Sequence, residues 1–73
     1  MMFGVFLFHT TSAAFRAERL LKDAGLAVKL VPTPRQFSSD CGIALQLDWS
    51  ETERAQSLLA DVALEHAGLH QVS

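Results

Sequence analysis

Cysteine is almost missing from this chain, whose 73 residues contain a single thiol, Cys41. One cysteine cannot form a disulfide within the chain, and the sequence has no C-x-x-C pair or cysteine and histidine spacing typical of a structural zinc site. We therefore expect no metal and no other cofactor. Because so few thiols are typical of proteins without structural disulfides, we also expect the reducing cytoplasm as the compartment.

Positive charge is also sparse. Six Lys and Arg residues stand against eight Asp and Glu, which gives a formal net charge of −2, and the basic residues are scattered along the chain. Such a chain has no basic field that would attract phosphate backbones. We therefore expect no nucleic-acid partner.

Long hydrophobic runs are missing as well. The apolar run from Met1 to Phe8 is too short to span a bilayer. It also lacks the basic segment and the small-residue cleavage site of a secretory signal peptide. We expect no membrane partner and interpret this run as a β-strand.

What the chain does contain is typical of a small folded domain. Hydrophobic residues make up 49% of the sequence and charged residues 19%, a balance that argues against intrinsic disorder. We predict one domain over residues 1–73. A core of this size buries only about 60% of the surface of the unfolded chain, so a partner subunit would add stability.

Hydrophobic periodicity predicts four strands and two helices. The first strand is apolar at both alternating positions, which is typical of a strand buried on both faces. Gly25 is a helix C-terminal signal, and the run Ser50-Glu51-Thr52-Glu53 resembles a capping box, which places the start of the second helix at Ser50. The predicted elements are strand one at Met2–His9, helix one at Ala13–Ala24, strand two at Leu26–Val31, strand three at Gly42–Asp48, helix two from Ser50 to a stop at Gly68, and strand four at Leu69–Val72.

This β-α-β-β-α-β order predicts an α+β fold of the ferredoxin-like type, with an antiparallel sheet in the order 4-1-3-2 and both helices on one face. Three connections then meet at one end of the sheet, namely His9–Ser12, Pro32–Cys41 and His66–Gly68. Trp49 and the start of helix two lie at the opposite end. We interpret Trp49 as a cover on the core.

The sheet face without helices should be apolar. It carries Ala44 and Gln46, either Lys29 or Val31, and either the pair Phe6 and Phe8 or the trio Phe3, Val5 and Leu7. An apolar patch on a small domain is typical of an association surface. We therefore expect a homo-oligomer or docking to another domain.

The stretch from Pro32 to Gly42 is the candidate site. Its two prolines stiffen the path of the chain after strand two. Arg35 supplies a positive charge and Ser38 and Ser39 supply hydroxyl donors, which favour a thiolate at Cys41, whereas Asp40 opposes it. Gly42 permits a close backbone approach by a partner. We expect a lowered pKa at Cys41; the alternative is that Cys41 is a small buried hydrophobe.

The same stretch resembles a small bacterial family described as selenium/sulfur carrier-like proteins. The resemblance covers almost the whole chain, and its most specific part is the pattern P-x-P-R-x-x-S-S-x-C-G. It implies that Cys41 is the acceptor thiol for sulfur or selenium and that a protein donor supplies the atom. It also assigns binding roles to the remaining motif residues, which here are Arg35, Ser38, Ser39 and Gly42. The aromatic run at Phe3–Phe8 departs from the family's usual sequence.

The three histidines offer weaker candidates. His9 and His66 fall at the Cys41 end of the predicted fold, so a cysteine and histidine pair for nucleophilic catalysis, or a metal site with Cys41, has to be considered. No third orienting group and no ligand spacing support either one. His70 is interpreted as an ordinary strand residue.

Three classes of function remain. A carrier needs one accessible thiolate and no catalytic base. An enzyme such as a thiol transferase needs an acid-base partner for Cys41, which leaves enzymatic activity open and favours a carrier or binding protein. The third class is an interaction or regulatory module that acts through the open sheet face, with Cys41 incidental.

Overall fold

The computed structural model describes residues 2–37 and 42–72. Within these ranges the chain forms four strands and two α-helices in the predicted order. The elements are β1 at Phe3–Leu7, α1 at Thr11–Asp23, β2 at Val28–Pro32, β3 at Ile43–Asp48, α2 at Thr52–Asp61 and β4 at Gly68–Val72.

The four strands form one antiparallel sheet in the order β2-β3-β1-β4, which confirms the predicted ferredoxin-like topology. β1 is a central strand, and Leu7 at its end is paired with Ala44 of β3 and Gly68 of β4. Ala44 is paired in turn with Val31 of β2. The ends of all four strands therefore align where the β2–β3 connection begins and ends.

Both helices cover one face of the sheet. Phe6 of β1 and Phe8, which directly follows the strand, are fully buried on this face, which determines which face each residue of β1 belongs to. The core on this side joins β1, β2 and β3 to the inner surfaces of both helices through Phe6, Phe8, Ala14, Ala17, Leu21, Val28, Leu45, Leu47, Ala55 and Leu59. Val5 and Leu7 therefore belong to the opposite face.

α1 begins at Thr11, two residues before the predicted start at Ala13. The Thr10 side chain accepts a hydrogen bond from the backbone N–H of Ala13 at 3.1 Å, and this satisfies one of the amide groups that the first turn leaves without a partner. The helix ends at Gly25, which has a φ of +89° and so adopts the left-handed conformation that favours glycine.

The predicted capping box at α2 is wrong. Ser50 lies inside a short 3-10 helix at Trp49–Glu51, and the residue that caps this turn is Asp48. The carboxylate of Asp48 accepts hydrogen bonds from the Ser50 backbone N–H at 2.9 Å and from the Ser50 hydroxyl at 2.6 Å. These two bonds, the side-chain one first, lower the pKa of Asp48 from its ordinary value of 3.8.

The predicted end of α2 is wrong as well. The helix ends at Asp61, and Gly68 already belongs to β4. Ala63, with a φ of +53°, adopts the left-handed conformation that follows the helix. No described helix is long and apolar enough to cross a membrane.

Candidate functional site

The predicted site lies in the connection between β2 and β3. The last paired residues of the two strands are Pro32 and Ile43, and a hydrogen bond from the Thr33 N–H to the Gly42 carbonyl, at 3.0 Å, continues the ladder by one step. The connection is therefore closed at its base, and both of its ends are fixed by the sheet. Ser38, Ser39, Asp40 and Cys41 lie outside the described residues.

The first half of this connection is a turn. Pro34 accepts a hydrogen bond at its carbonyl from the N–H of Phe37, at 3.0 Å, with Arg35 and Gln36 at the two central positions. Proline at the start fixes φ and preorganises the path of the chain. The turn leaves Arg35 exposed and directs Phe37 back toward the sheet.

Phe37 covers the sheet face that has no helices. It packs against a cluster in which Val5, Leu7 and Ala44 are buried, with exposed fractions of 1%, 3% and 0%. Val31 and Val72 are half-buried at the border of the cluster. The apolar face that the sequence predicts is present, but the chain itself covers its centre.

The ring of Phe37 is stacked on the ring of His70. The two centroids are 4.1 Å apart and the ring planes differ by 11°. His70 lies on β4, at one edge of the sheet, whereas the connection leaves from β2 at the other edge. Phe37 therefore bridges the open face. His70 lies on β4 as the sequence predicts, and its ring is in addition the stacking partner of Phe37.

The His70 ring lies beside Gly68. Residues 68 and 70 lie on the same face of β4, and a Cβ at Gly68 would lie 3.4 Å from His70 Nε2 and 3.9 Å from Leu7 Cδ1. The imidazole thus lies beside Gly68, toward the strand ends from which the connection leaves. The period-two pattern of β4 indicates the face of His70, but the contact with Phe37 depends on the path of the connection, which no local pattern indicates.

Gly42 is exposed, and a Cβ built on it would meet no heavy atom of the described residues within 4 Å, its chain neighbours aside. What Gly42 contributes is open space around the residue bonded to Cys41. The predicted close approach of a partner backbone at this position stays a prediction.

The N-terminus of α1 lies at the same end of the molecule as the connection, as the sequence predicts. Leu7, three residues before the cap at Thr10, is separated from Val31 by two strand spacings, or about 10 Å. His9 is exposed in this segment. Positive potential from the helix end is thus available at this end of the sheet.

His66 also lies at this end, but its ring faces the other side of the sheet. It contacts the edge of the Phe6 ring, with centroids 5.0 Å apart and perpendicular planes, in the helix-side core. The imidazole is half-buried at a shallow cavity between α2 and β4, and this burial lowers its pKa from the ordinary 6.5. Phe37 and the turn before it lie on the opposite face, so the described part of the connection does not meet His66.

Within the described ranges, no group of three or more His, Cys, Asp and Glu side chains could hold a metal ion. Of the predicted site residues, the structure places Arg35 on the exposed turn and Gly42 at the closed base of the connection. Trp49 is half-buried at the opposite end, where its backbone N–H donates to the Met2 carbonyl at 3.1 Å, and its interpretation as a core cover stays a prediction.

A family model described as "Putative Se/S carrier protein-like" matches residues 3–71, nearly the whole chain. A comparison with curated proteins found no match. A comparison with solved structures found none either.

Proposed function

The chain belongs to the Se/S carrier protein-like family, and from this premise we propose that it carries sulfur or selenium on the thiol of Cys41. The family match is the observation that supports the proposal most, because it spans the whole connection between β2 and β3. The chain contains no other cysteine, so any thiol adduct must form at this residue.

The chemistry is a transfer of one chalcogen atom between thiols. The Cys41 thiolate attacks the outer sulfur of a persulfide on a donor protein, a bond forms between Cys41 Sγ and that sulfur, and the sulfur–sulfur bond of the donor breaks. The donor leaves as a thiolate and takes the proton that Cys41 gave up. A persulfide is consumed and a persulfide is formed, so no external oxidant is needed. Selenium follows the same scheme, and a nucleophilic acceptor completes delivery.

The surroundings of the connection favour this role. Arg35 is exposed on the turn that leads toward Cys41, and the space around Gly42 is open to a partner. A cation and a helix N-terminus at the same end of the molecule both stabilise a thiolate. Ser38 and Ser39 are proposed to hold the transferred atom or its donor through their hydroxyl groups. Because no catalytic base is required, a carrier fits better than an enzyme.

The proposed partners follow from the same chemistry. The donor is a protein that bears a persulfide or selenopersulfide, and the reducing cytoplasm is the compartment in which a free thiol would persist. A homo-oligomer also stays a proposal, based on the apolar residues on both faces of β1. Neither nucleic acid nor membrane is proposed as a partner.

Mass spectrometry tests the proposal directly. The purified protein is incubated with a cysteine desulfurase and cysteine, and the intact mass should increase by one sulfur atom per chain. Cys41→Ser should show no increase. A protein that gains no sulfur under conditions in which the desulfurase itself becomes persulfidated is not a carrier of this kind.

The rate of alkylation by iodoacetamide near neutral pH tests the role of Arg35. Arg35→Ala should slow the reaction, because removal of the cation lowers the thiolate fraction. Arg19→Ala, which removes an exposed arginine from α1, is the matched control and should leave the rate unchanged. A thiol that stays inert until denaturant is added would instead favour the interaction module.

A further inference from the structure

The stack between Phe37 and His70 has no role in the predicted chemistry, yet it holds the last described residue before Cys41. Phe37 is four residues from Cys41 in the chain and is the described residue of the connection that reaches across the sheet. Among the described residues, the connection is also held by the packing of Phe37 on the buried cluster and, at its base, by the hydrogen bond between Thr33 and Gly42.

We infer that His70 is a positioning residue, which holds Phe37 on the open face of the sheet and thereby sets the position of the connection between β2 and β3. With centroids 4.1 Å apart and nearly parallel planes, the two rings are in direct face contact, and aromatic pairs stabilise a fold beyond the area they bury. The functional part of this inference rests on the proposed carrier role, whereas the anchoring part does not.

Two features make His70 more than an incidental neighbour of Phe37. The imidazole lies along the strand beside Gly68, with Nε2 at an ordinary contact distance of 3.4 Å from the place of a Cβ. Beneath the stack, Val5 and Leu7 are almost completely buried, so release of Phe37 would expose apolar surface to water. The Phe37 ring is therefore held both by the His70 ring and by the buried cluster.

Anchoring can be measured at Arg35, which lies in the turn just before Phe37. Trypsin cleaves after arginine, and the bond that follows Arg35 should resist cleavage while the turn is held. His70→Ala should increase the rate of this cleavage by about two- to tenfold, the range that the loss of one aromatic pair implies. Phe37→Ala also removes the packing on the buried cluster and should increase cleavage at least as much. Adding His70→Ala to Phe37→Ala should change little, since the stack is already lost.

Two further variants separate anchoring from general loss of stability. His70→Phe retains a ring that can stack and should restore slow cleavage. Gln71→Ala changes the next residue of β4, which is exposed and donates to Met2 Sδ, and it should leave cleavage as in wild type. Thermal melting of each variant identifies any that unfold globally. In wild type, the ring protons of His70 should show an upfield ring-current shift that Phe37→Ala removes.

The positioning role is tested by the rate of sulfur loading from a persulfide donor. His70→Ala should reduce this rate by about two- to tenfold, and His70→Phe should recover it. Unchanged cleavage at Arg35 in His70→Ala would overturn the anchor, and faster cleavage with unchanged loading would overturn the positioning role. If wild type takes up no sulfur, the carrier proposal fails, while the cleavage measurement still decides on the anchor.

Discussion

Gly4 determines how closely α2 approaches the sheet. A Cβ at this position would lie 2.5 Å from Thr52 Cγ2 and 3.2 Å from Trp49 Cε3. Thr52 cannot easily move away, because it is buried and its hydroxyl donates to the Trp49 carbonyl at 2.7 Å. The absence of a side chain on β1 is thus what lets the 3-10 turn and α2 pack against the strand.

We predict that Gly4→Ala lowers the free energy of unfolding by about 1–3 kcal/mol, the usual cost of overpacking. Urea denaturation measures this change. Gly42→Ala is the matched control: its Cβ would meet nothing within 4 Å, and its effect should stay within about 0.5 kcal/mol. Equal stability of the two variants would show that the Thr52 side chain moves to accommodate the new Cβ.

His66 should make the stability of the fold depend on pH. Burial lowers the pKa of His66 below 6.5 in the folded state, so between the lowered value and 6.5 the unfolded chain binds more protons than the native one. The contribution of neutral His66 to the free energy of unfolding is therefore complete above pH 6.5 and decreases as the pH is lowered from 6.5 toward the pKa of the folded state. The effect should be small, because the imidazole is only half-buried.

The measurement is the melting temperature between about pH 7.5 and pH 5.5. His66→Phe keeps an aromatic ring against Phe6 and should flatten the curve. His9→Gln changes an exposed histidine and should leave the slope as in wild type. A slope that persists in His66→Phe would assign the pH dependence to other groups.

Single residues also show why the sequence predicts the N-terminal cap of α1 but not that of α2. The run Thr10-Thr11-Ser12 offers three adjacent candidates for the cap of α1, and the helix uses Thr10. At α2, Ser50 and Glu53 have the capping-box spacing, but Asp48 stands two residues before Ser50 and binds both its N–H and its hydroxyl. A local pattern cannot decide between two competing acceptors.

At the scale of elements, both helices end with the same motif. After α1, the Leu26 N–H donates to the Leu21 carbonyl and the Gly25 N–H to the Lys22 carbonyl, each at 3.0 Å. After α2, Leu64 donates to Leu59 at 2.9 Å and Ala63 to Ala60 at 3.0 Å. These are the two bonds of a Schellman motif. The left-handed residue is glycine in the first motif and alanine in the second.

This difference predicts opposite effects for two substitutions. Ala63→Gly should stabilise the protein by up to about 1 kcal/mol, because glycine adopts the left-handed conformation without the strain that alanine has there. The greater conformational entropy of glycine in the unfolded chain offsets part of this stabilisation. Gly25→Ala should destabilise it by about 1 kcal/mol, since a Cβ there meets nothing within 4 Å and only the backbone conformation matters. Thermal melting compares the two, and a change of the same sign in both would contradict the motif-based argument.

The same motif explains which element boundaries the sequence predicts. Gly25 indicates the end of α1 in the sequence, because glycine is the usual left-handed residue after a helix. Alanine is not a helix stop signal, so the sequence predicts a helix that extends past Ala63 to Gly68, where the chain is already in β4. The order and pairing of the strands were predictable, because alternating apolar residues and the β-α-β-β-α-β order leave few topologies.

At the scale of the whole molecule, the open face of the sheet is the feature that sequence alone describes least well. Its apolar character follows from Val5 and Leu7 once the parity of β1 is known. The cover by Phe37 does not follow from the sequence, because the contact between Phe37 and His70 joins residues that are far apart in the chain. An association surface predicted from the apolar residues alone therefore has to be reconsidered with Phe37 in place.

Self-association of the intact chain stays a prediction, and the structure indicates how to test the surface. A dimer in which two open faces meet would have to displace Phe37 or use the half-buried border at Val31 and Val72. Phe37→Ala uncovers Val5, Leu7 and Ala44 and should shift the equilibrium toward dimers or larger species, because exposed apolar surface favours association. Light scattering over a range of protein concentrations measures this shift against wild type.

Phe15→Ala is the matched control for this experiment. It removes a phenylalanine that is 48% exposed on α1, on the helix side of the sheet, and it should leave the equilibrium of the open face unchanged. If Phe37→Ala associates no more than wild type, the open face is not the interface. If Phe15→Ala instead abolishes the association of wild type, the helix side is the interface, and the open face is free to hold the connection that carries Cys41.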